Sequence, residues 1–467
     1  MRIYGFEVEY AAVFLAAQGH NPLDPDGVAK AMFSRVRKWG GTNDIFLPNG
    51  GRIYIDTGAH PEYATPECQD IYDLVAHEAA GDLIMRDLAR KAEDELRVRG
   101  WAGKLVVLRN NADEHGNSWG CHENLQMRRA VNMEKLVEAF ALYMATRPVW
   151  AGAGGLVRDG LGRYHFALSP RIQYIEEVSG ISTSSSRPLV NLRDESHAGP
   201  DYRRLHLLAG DTNMSQVVNY VKMGVSGGIL EMLERGRQLP DPGIGNPVDL
   251  LHSIERDVDF RRAFPSRSGR TYTALEIQQM FCEALEKEER RVGFPDDISR
   301  AVRMWRAILD MLERRDWDAA ATRVDWVRKR FLLDAVQRVT GAMSFADPKV
   351  RFADFIYHAV DYQFEIYSKL NRYLPAITLV DRARIKDAVN NPPKGRPTLR
   401  GAFVKEALRS NKPALIDWER WAYEGDDDMW EVLDPTSETL PRPVPKTEAL
   451  WETPSQVRRL ATPAQVT

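Results

Sequence analysis

The stretch RIYIDTGAHPEYAT, residues 52–65, begins with a strand pattern and continues into a turn that contains Pro61. Polar and apolar side chains alternate along Arg52–Asp56, which is the period of a β-strand with two different faces. Ile3–Tyr10 and Leu105–Leu108 are further short, apolar-rich runs next to turn-forming residues. The first part of the chain is therefore predicted to form a sheet from short strands.

Helical patterns separate and follow these strands. Pro25–Lys38 follows Asp24, a suitable N-cap residue, and Tyr72–Arg99 carries apolar residues at helical spacing. Charged, amphipathic segments are predicted as helices at residues 228–237, 273–291, 297–315 and 322–339. Because strands and helices mix without a regular βαβα alternation, we predict an α+β fold around an antiparallel sheet.

The composition excludes several classes of protein. The chain has 467 residues, 43% of them hydrophobic and 28% charged, with a net charge of −3. These values are unlike a disordered or fibrous chain, and they argue against nucleic acid as the main partner. No run reaches the roughly 20 apolar residues that a membrane span requires. The first ten residues read as a strand rather than a signal peptide, and three cysteines cannot form a disulfide framework, so we expect a cytoplasmic protein.

Two of the predicted strands place charged side chains on one face. Glu7 and Glu9 share a face of the first strand, and Arg52, Tyr54 and Asp56 share a face of the second. Neighbouring carboxylates repel unless a cation lies between them or one of them is protonated. The alternative for both strands is a solvated face without function.

Two other segments concentrate polar groups. His122 and Glu123 follow a Gly-Cys pair, but Gln126 occupies the last position of an HExxH pattern, so a zinc site is not indicated. Arg193 and Arg204 belong to a segment rich in arginine, histidine and carboxylates, residues 191–206. Arginine suits bidentate binding of phosphate or carboxylate, and a surface ion-pair network is the alternative.

Together these segments suggest Mg²⁺ held against nucleotide phosphates by carboxylates, with arginines opposite. The sequence contains no Walker loop, GxGxxG motif or Ser-His-Asp signature. Carboxylate–amine ligases require such an arrangement, because ATP must first convert an unreactive carboxylate into an acyl phosphate before an amine can attack it.

The chain resembles the Pup ligase/Pup deamidase family, whose members attach the small disordered modifier Pup to lysines or remove it. The resemblance covers roughly residues 1–420. It is carried by the stretches GFEVEY, NGGRIYIDTGAHPEYATPEC, NNADEHGNSWGCHEN, SSSRPLVNLRDESHAGPDYRRLH and GDTNMS, and more weakly by VDWVRKR, NPPKGRPTLRG and IDW.

This resemblance implies a fold, cofactors and roles for individual residues. The implied fold is similar to that of glutamine synthetase: a curved antiparallel sheet that cradles ATP and Mg²⁺, backed by helices, with a small C-terminal domain. Asp56 is the implied catalytic base. The implied Mg²⁺ ligands are Glu7, Tyr54 and Glu62, with Glu9 and His122 inferred from their proximity in the motifs. The implied ATP contacts are Arg52, Thr65 and Trp418, with Arg193 and Arg204 again inferred from proximity.

The direction of the reaction rests on one chain connection. Members of the deamidase branch carry a long insertion between the first helix and the strand that contains Asp56, whereas here only residues 39–44 connect that helix to Ile45. The short connection favours an ATP- and Mg²⁺-dependent ligase that joins the side-chain carboxylate of the C-terminal glutamate of a Pup-like protein to a lysine, through an acyl phosphate. Val8, Ala11 and residues 358–372 depart from the family's usual ligase pattern. The alternatives are a hydrolase of the same fold, acting as depupylase or deamidase, and a non-catalytic Pup-binding homologue.

Domain boundaries follow from turn-rich composition. We predict a catalytic domain over residues 1–390, a small C-terminal domain over 391–433 after the turn-rich segment 390–395, and a loosely ordered, proline-rich tail over 434–467.

Overall fold

A computed structural model describes residues 2–19, 21–40, 44–56, 58–182, 187–194, 199–360, 366–446 and 458–459. The strands in chain order are β1 (Tyr4–Glu9), β2 (Ala11–Ala16), β3 (Asp44–Phe46), β4 (Arg52–Asp56), β5 (His60–Ala64), β6 (Gly103–Leu108), β7 (Cys121–Arg128), β8 (Gly155–Arg158), β9 (Tyr164–Ala167), β10 (Ile175–Gly180), β11 (Arg187–Asn191), β12 (Tyr202–Leu207), β13 (Ala263–Pro265), β14 (Thr271–Thr273), β15 (Ala414–Ile416), β16 (Arg420–Tyr423), β17 (Asp428–Glu431), β18 (Val444–Pro445) and β19 (Arg458–Arg459). The helices are α1 (Pro25–Gly40), α2 (Ile71–Val98), α3 (Met133–Thr146), α4 (Pro148–Ala151), α5 (Gln216–Glu234), α6 (Pro247–Ser253), α7 (Ala274–Val292), α8 (Asp296–Glu313), α9 (Trp317–Ala321), α10 (Asp325–Thr340), α11 (Pro348–Ile356), α12 (Ile366–Leu370), α13 (Arg382–Ala388) and α14 (Arg396–Ser410), with a 3₁₀ turn at Ile172–Tyr174.

Contacts along the chain divide it into two compact units. The first, called the helical unit, contains residues 1–2 and 109–379, and the second, called the sheet unit, contains residues 3–108 and 380–467. The sheet unit thus combines the N-terminal segment with the C-terminal one. The boundaries predicted at 390 and 433 concern folding domains and stay predictions.

In the sheet unit, β1, β5, β4 and β3 are hydrogen-bonded in that order, and each pair is antiparallel. The register sets Glu9 opposite Glu62 and Glu62 opposite Tyr54. Because directly paired residues project to the same side of a sheet, the register gathers the polar side chains of three strands on one face.

The other face of these strands packs on helix α2. Tyr63 of β5 is fully buried there, and a Cβ built on Gly81 of α2 would lie 2.4 Å from its ring. A larger residue at position 81 would therefore push the helix away from the sheet. Helix α2 starts where Asp70 accepts a hydrogen bond from the Asp73 N–H at 3.0 Å. This packing leaves the polar face as the side available for ligands.

The C-terminal part of the sheet unit has a small core of its own. Helix α14 packs its apolar residues on the antiparallel strands β15, β16 and β17. Phe46 of β3 belongs to the same hydrophobic cluster, together with Phe403 and Trp421. The predicted tail begins with ordered structure, since β18 pairs with β17. Residues 447–457 and 460–467 of that tail lie outside the described residues.

The helical unit combines a strand ladder with a bundle of helices. Strands β7 and β12 are antiparallel, while the short strands β10 and β11 are parallel. Helix α5 begins at Gln216, after the N-cap residue Ser215, so the helix predicted over 228–237 is wrong in its start. Residues 217–230 of α5 are buried all round, which removes the amphipathic pattern that the prediction needed.

The α+β class and most of the predicted elements are confirmed, with ends shifted by a few residues. Cys68, Cys121 and Cys282 are buried free thiols. Among the described helices, none combines the length and the apolar character that crossing a membrane requires.

Candidate active site

Three carboxylates meet on the polar face of the sheet unit. One oxygen from each of Glu9, Asp56 and Glu62 lies within 4.8 Å of the other two. Glu9 and Glu62 are buried, whereas Asp56 is exposed at the end of β4. An all-oxygen set of this kind suits a hard divalent cation such as Mg²⁺.

Tyr54 completes this cluster from the neighbouring strand. Its hydroxyl donates a hydrogen bond to Glu62. Burial, followed by the nearby carboxylates of Glu62 and Glu7, raises the pKa of Tyr54 well above its usual value. Burial and the carboxylates of Glu7, Glu9 and Asp56 raise the pKa of Glu62 as well. A divalent cation among these groups would offset the charge repulsion that adds to the effect of burial in both increases.

Glu7 and Thr65 lie at the other end of the same strands. Glu7 is opposite Ala64 in the sheet register and is close enough to act on the pKa of both Tyr54 and Glu62. Thr65 follows β5 and is buried, and its hydroxyl oxygen accepts a hydrogen bond from the Phe6 N–H at 3.0 Å. That bond fixes the side chain while leaving the hydroxyl proton available as a donor.

Arg52 connects the carboxylates to the rings of Phe46 and Trp418, which together are called the aromatic wall. Its guanidinium lies 4.5 Å from the centre of the Tyr54 ring and 5.8 Å from that of Phe46. Phe46 in turn meets Trp418 edge to face, with ring centres 5.0 Å apart. An arginine beside a pair of aromatic rings can bind phosphate on one side while a ring contacts a planar base on the other. The predicted residues Arg52 and Trp418, separated by 366 positions in sequence, are thus brought to one site through Phe46.

His122 and Arg204 belong to the helical unit, on paired strands. His122 projects from β7, and its ring lies 5.1 Å from that of His206 on β12. Arg204 Nη1 donates to Asn124 Oδ1 at 2.7 Å, and His206 Nδ1 lies 2.7 Å from the same oxygen. These side chains share one face of the β7–β12 ladder, which makes it a polar, partly cationic surface.

The two remaining groups singled out in the helical unit differ in their environment. Arg193 follows β11 and is exposed. Glu123 faces the other side of β7 from His122, and its carboxylate accepts hydrogen bonds from both Arg147 terminal nitrogens at 2.7 and 2.8 Å. Burial alone would raise the pKa of Glu123, but Arg147 and Lys222 lower it below its usual value. Glu123 is therefore committed to a buried ion pair.

Sequence reasoning missed two parts of the site. Phe46 was not singled out, because a single aromatic residue in a short strand carries no signal of a ligand wall. Glu67 and Arg400, which contact each other behind Trp418, both lie in stretches that carried the family resemblance. Their contact could not be predicted because the two residues are far apart in the sequence. The described site can thus hold a divalent cation at one end and stack a planar group at the other.

Comparisons with known proteins agree on one family. A family model described as Pup-ligase protein matches residues 2–422. The Pup–protein ligase of Acidimicrobium ferrooxidans is 39% identical over 419 residues, covering 89% of this chain and 91% of that protein. Pup–protein ligase 1 of Rhodococcus erythropolis is 36% identical over 420 residues, covering 89% and 92%.

Two solved structures are similar over nearly the whole chain. The complex between the prokaryotic ubiquitin-like protein Pup and its ligase PafA has a TM-score of 0.87 and 32% identity, covering 94% of this chain and 90% of that one. The ligase PafA in complex with ADP has a TM-score of 0.79 and 31% identity, covering 91% and 93%.

Proposed function

The chain belongs to the Pup-ligase family, and we propose that it uses ATP to form an isopeptide bond between the C-terminal glutamate side chain of a Pup-like modifier and a lysine of a target protein. The observation that carries this proposal is the oxygen cluster of Glu9, Asp56 and Glu62, which Arg52 connects to the aromatic wall of Phe46 and Trp418. The cluster suits the metal of a nucleotide complex and the wall suits its base, and similar ligases bind Pup and ADP.

The nucleotide is proposed to lie along the polar face of the sheet unit. Trp418 offers an aromatic surface to the base, Arg52 a guanidinium to the phosphates, and Thr65 a hydroxyl donor. Arg193 and Arg204 of the helical unit stay proposals for anionic groups, either nucleotide phosphate or the carboxylate of the modifier.

Glu7, Tyr54 and Glu62 would hold Mg²⁺, and Glu9 lies in the same cluster as Glu62. Burial and the neighbouring carboxylates raise the pKa of Glu62, and a bound cation would offset the repulsion among these carboxylates, which supports this assignment. When bound, Mg²⁺ supplies neutralisation of phosphate charge during phosphoryl transfer. His122 stays a proposal for this role, since its ring packs against His206 in the helical unit.

The chemistry divides into two steps. In the first, a carboxylate oxygen of the modifier attacks the γ-phosphate of ATP, ADP leaves, and an acyl phosphate forms; Arg52 stabilises the charge of the transferring group. In the second, the lysine nitrogen attacks the acyl carbon and inorganic phosphate leaves. The lysine must first lose a proton, and Asp56 is proposed to accept it, because its carboxylate is exposed at the end of β4 where a second protein can reach.

Isopeptide hydrolysis by the same fold is not favoured. The relatives and solved structures described above are named as ligases. Helix α1 ends at Gly40 and β3 begins at Asp44, so only residues 41–43, which lie outside the described residues, connect them. This leaves no room for the long insertion of the hydrolase branch.

A conjugation assay tests the proposal. The protein is incubated with ATP, Mg²⁺, a Pup-like modifier ending in glutamate and a lysine-bearing protein, and both the conjugate and the released ADP are measured. We expect one ADP per conjugate, and no conjugate with a modifier that ends in glutamine, because its side-chain amide cannot be phosphorylated and its main-chain carboxylate is not the group that the proposed bond uses. In a parallel reaction the protein receives a preformed conjugate. Cleavage of that conjugate without any ligation would establish the hydrolase instead.

A further inference from the structure

Arg400 is a fully buried arginine of helix α14 that contacts the aromatic wall from behind. Its Nη1 donates to the backbone oxygen of Trp418 at 2.7 Å, and its guanidinium lies 4.8 Å from the Trp418 ring centre and 5.3 Å from that of Phe46. Its Nη2 donates to the backbone oxygen of Gly50 at 2.6 Å. One side chain thus joins the two chain segments that carry the wall.

Trp418 needs such support because of where it lies in the chain. It occupies the turn between β15 and β16, where Asp417 accepts hydrogen bonds from the Glu419 and Arg420 N–H groups at 2.6 and 2.9 Å. Those bonds shape the turn but do not orient the indole ring. The contacts of the ring itself are with the Phe46 ring, which is nearly perpendicular to it with ring centres 5.0 Å apart, and with the guanidinium of Arg400.

Glu67 fixes Arg400 in turn. Its carboxylate pairs with Arg400 Nη2 and accepts a hydrogen bond from Nη1 at 3.0 Å. Arg396, one turn earlier on α14, shares the same carboxylate through Nε at 2.8 Å, but its other hydrogen bonds go to the backbone oxygens of Val432 and Leu433. Arg396 also pairs with Glu419, the residue after Trp418, at 3.7 Å, but among the described contacts it meets neither the Trp418 ring nor the Phe46 ring.

We propose that Arg400, held by Glu67, is a positioning residue that sets the plane of Trp418 for stacking against the base of the nucleotide. This inference rests on the proposed function, because it assumes that a nucleotide binds at this wall. It adds that base recognition depends on a buried guanidinium that the nucleotide does not touch. A planar fork with several donors is required, since lysine could neither lie flat on the indole nor reach both backbone oxygens at once.

Two ligands separate base recognition from phosphate recognition. ADP carries the base, whereas tripolyphosphate carries only phosphates, and both are titrated calorimetrically in the presence of Mg²⁺. For Arg400→Lys we expect ADP affinity to fall on the order of tenfold, the scale of one base–aromatic stack, while tripolyphosphate affinity changes less than about twofold. In the background of Trp418→Ala the same substitution should cause no further loss, because the stack is already gone.

Arg396→Lys is the matched control. It removes another buried arginine from the same helix and the same carboxylate, so it perturbs the fold in a similar way. The ratio of ADP to tripolyphosphate affinity should stay at the value of the unchanged protein, because, of these two described arginines, only Arg400 lies over the Phe46 and Trp418 rings. If Arg400→Lys does not fold, Glu67→Gln replaces it, since the amide oxygen keeps one acceptor for Arg400 while the charge is lost. For Glu67→Gln we expect a smaller loss of ADP affinity than for Arg400→Lys, with the affinity for tripolyphosphate unchanged.

The outcomes distinguish this inference from the function it rests on. An unchanged protein that binds no ADP would overturn the proposed function and this inference with it. ADP binding by the unchanged protein, combined with an unaltered affinity ratio in Arg400→Lys or Glu67→Gln, would overturn the inference alone. An equal loss for ADP and tripolyphosphate would also overturn it, because that result indicates general structural damage.

Discussion

At the scale of single residues, the site is defined by several carboxylates that repel one another. Glu62 lies next to Tyr54 and close to other carboxylates in a buried place, and its pKa is raised well above its usual value by burial and those neighbours. Buried carboxylates this close together destabilise the folded protein unless a cation or another ligand binds among them. Metal sites and active sites commonly have this property. The exposed Asp56 differs from the buried carboxylates in the same cluster, and this difference suggests separate roles.

Asp56→Asn separates binding from catalysis. The amide keeps the shape of the side chain but cannot accept the lysine proton, so we expect ADP affinity within a few-fold of the unchanged protein and a conjugation rate lower by a factor on the order of 10² or more. Conjugate formation and calorimetric ADP binding are measured on the same preparation. A folded variant that conjugates at nearly the normal rate would show that Asp56 is only a structural acceptor.

Glu62→Gln tests the metal site. The amide oxygen can still accept the Tyr54 hydrogen bond, but the negative charge that binds a cation is lost. We expect Mg²⁺ to strengthen ADP binding at least about tenfold in the unchanged protein and hardly at all in the variant. Glu93→Gln is the matched control: Glu93 is also buried in the sheet unit, but accepts a hydrogen bond from the Leu105 N–H. Equal Mg²⁺ dependence in all three proteins would contradict the assignment.

At the scale of elements, the wall depends on how helix α14 is held against Glu67, which lies in the segment after β5. Burial alone would raise the pKa of Glu67, but Arg400, Arg396 and the hydrogen bonds lower it to about 2. A carboxylate whose pKa is lower in the folded state than in the unfolded state stabilises the folded protein. For Glu67 this contribution is present at pH values above 4.5, the pKa of the unfolded state, and is lost as the pH falls toward 2.

The difference in unfolding free energy between the unchanged protein and Glu67→Gln should therefore depend on pH. A decrease of the pKa from 4.5 to about 2 corresponds to about 3 kcal/mol, present at neutral pH and lost progressively between about pH 5 and pH 2. Denaturant titrations of both proteins at several pH values measure it. Other acidic groups titrate in both proteins and cancel in the difference, so a difference that stays constant with pH would refute the ion-pair interpretation.

At the scale of the whole molecule, the surface charges of interest are those that could bind the protein modifier. A Pup-like modifier is expected to be acidic and disordered, and we propose that it binds to a basic rim formed by Arg128, Arg129, Arg203 and Arg204. Asp194 already lies 2.9 Å from Arg129 and 3.8 Å from Arg203, while Arg128 is exposed. Arg128 is therefore the best single test of the rim.

Affinity for the acidic modifier should fall as salt rises from about 20 to about 200 mM, because screening shortens the range of surface charges. In Arg128→Gln the affinity at low salt should be weaker and its dependence on salt smaller than in the unchanged protein. Fluorescence anisotropy of a labelled modifier measures both. Binding that ignores salt would show that the contact is mainly apolar rather than a basic groove.

Local sequence was sufficient for the strands that form the site. The alternation in Arg52–Asp56 correctly assigned Arg52, Tyr54 and Asp56 to one face, because side-chain direction along a strand depends only on position. It was insufficient for helix α5, whose first half is buried on all sides and so has no polar face to reveal its period. The family resemblance supplied roles for residues that spacing alone left open between site and solvated surface.

What the sequence determined by itself was the α+β class, the identity of the polar strand face and the likeness to Pup ligases, since these follow from short-range periodicity and contiguous motifs. Only the tertiary structure decided that Phe46 joins Arg52 to Trp418, and that Glu67 and Arg400 meet behind them. The Phe46–Trp418 and Glu67–Arg400 contacts join residues more than 300 positions apart. No local pattern encodes them, because they depend on which surfaces the folded chain buries against each other.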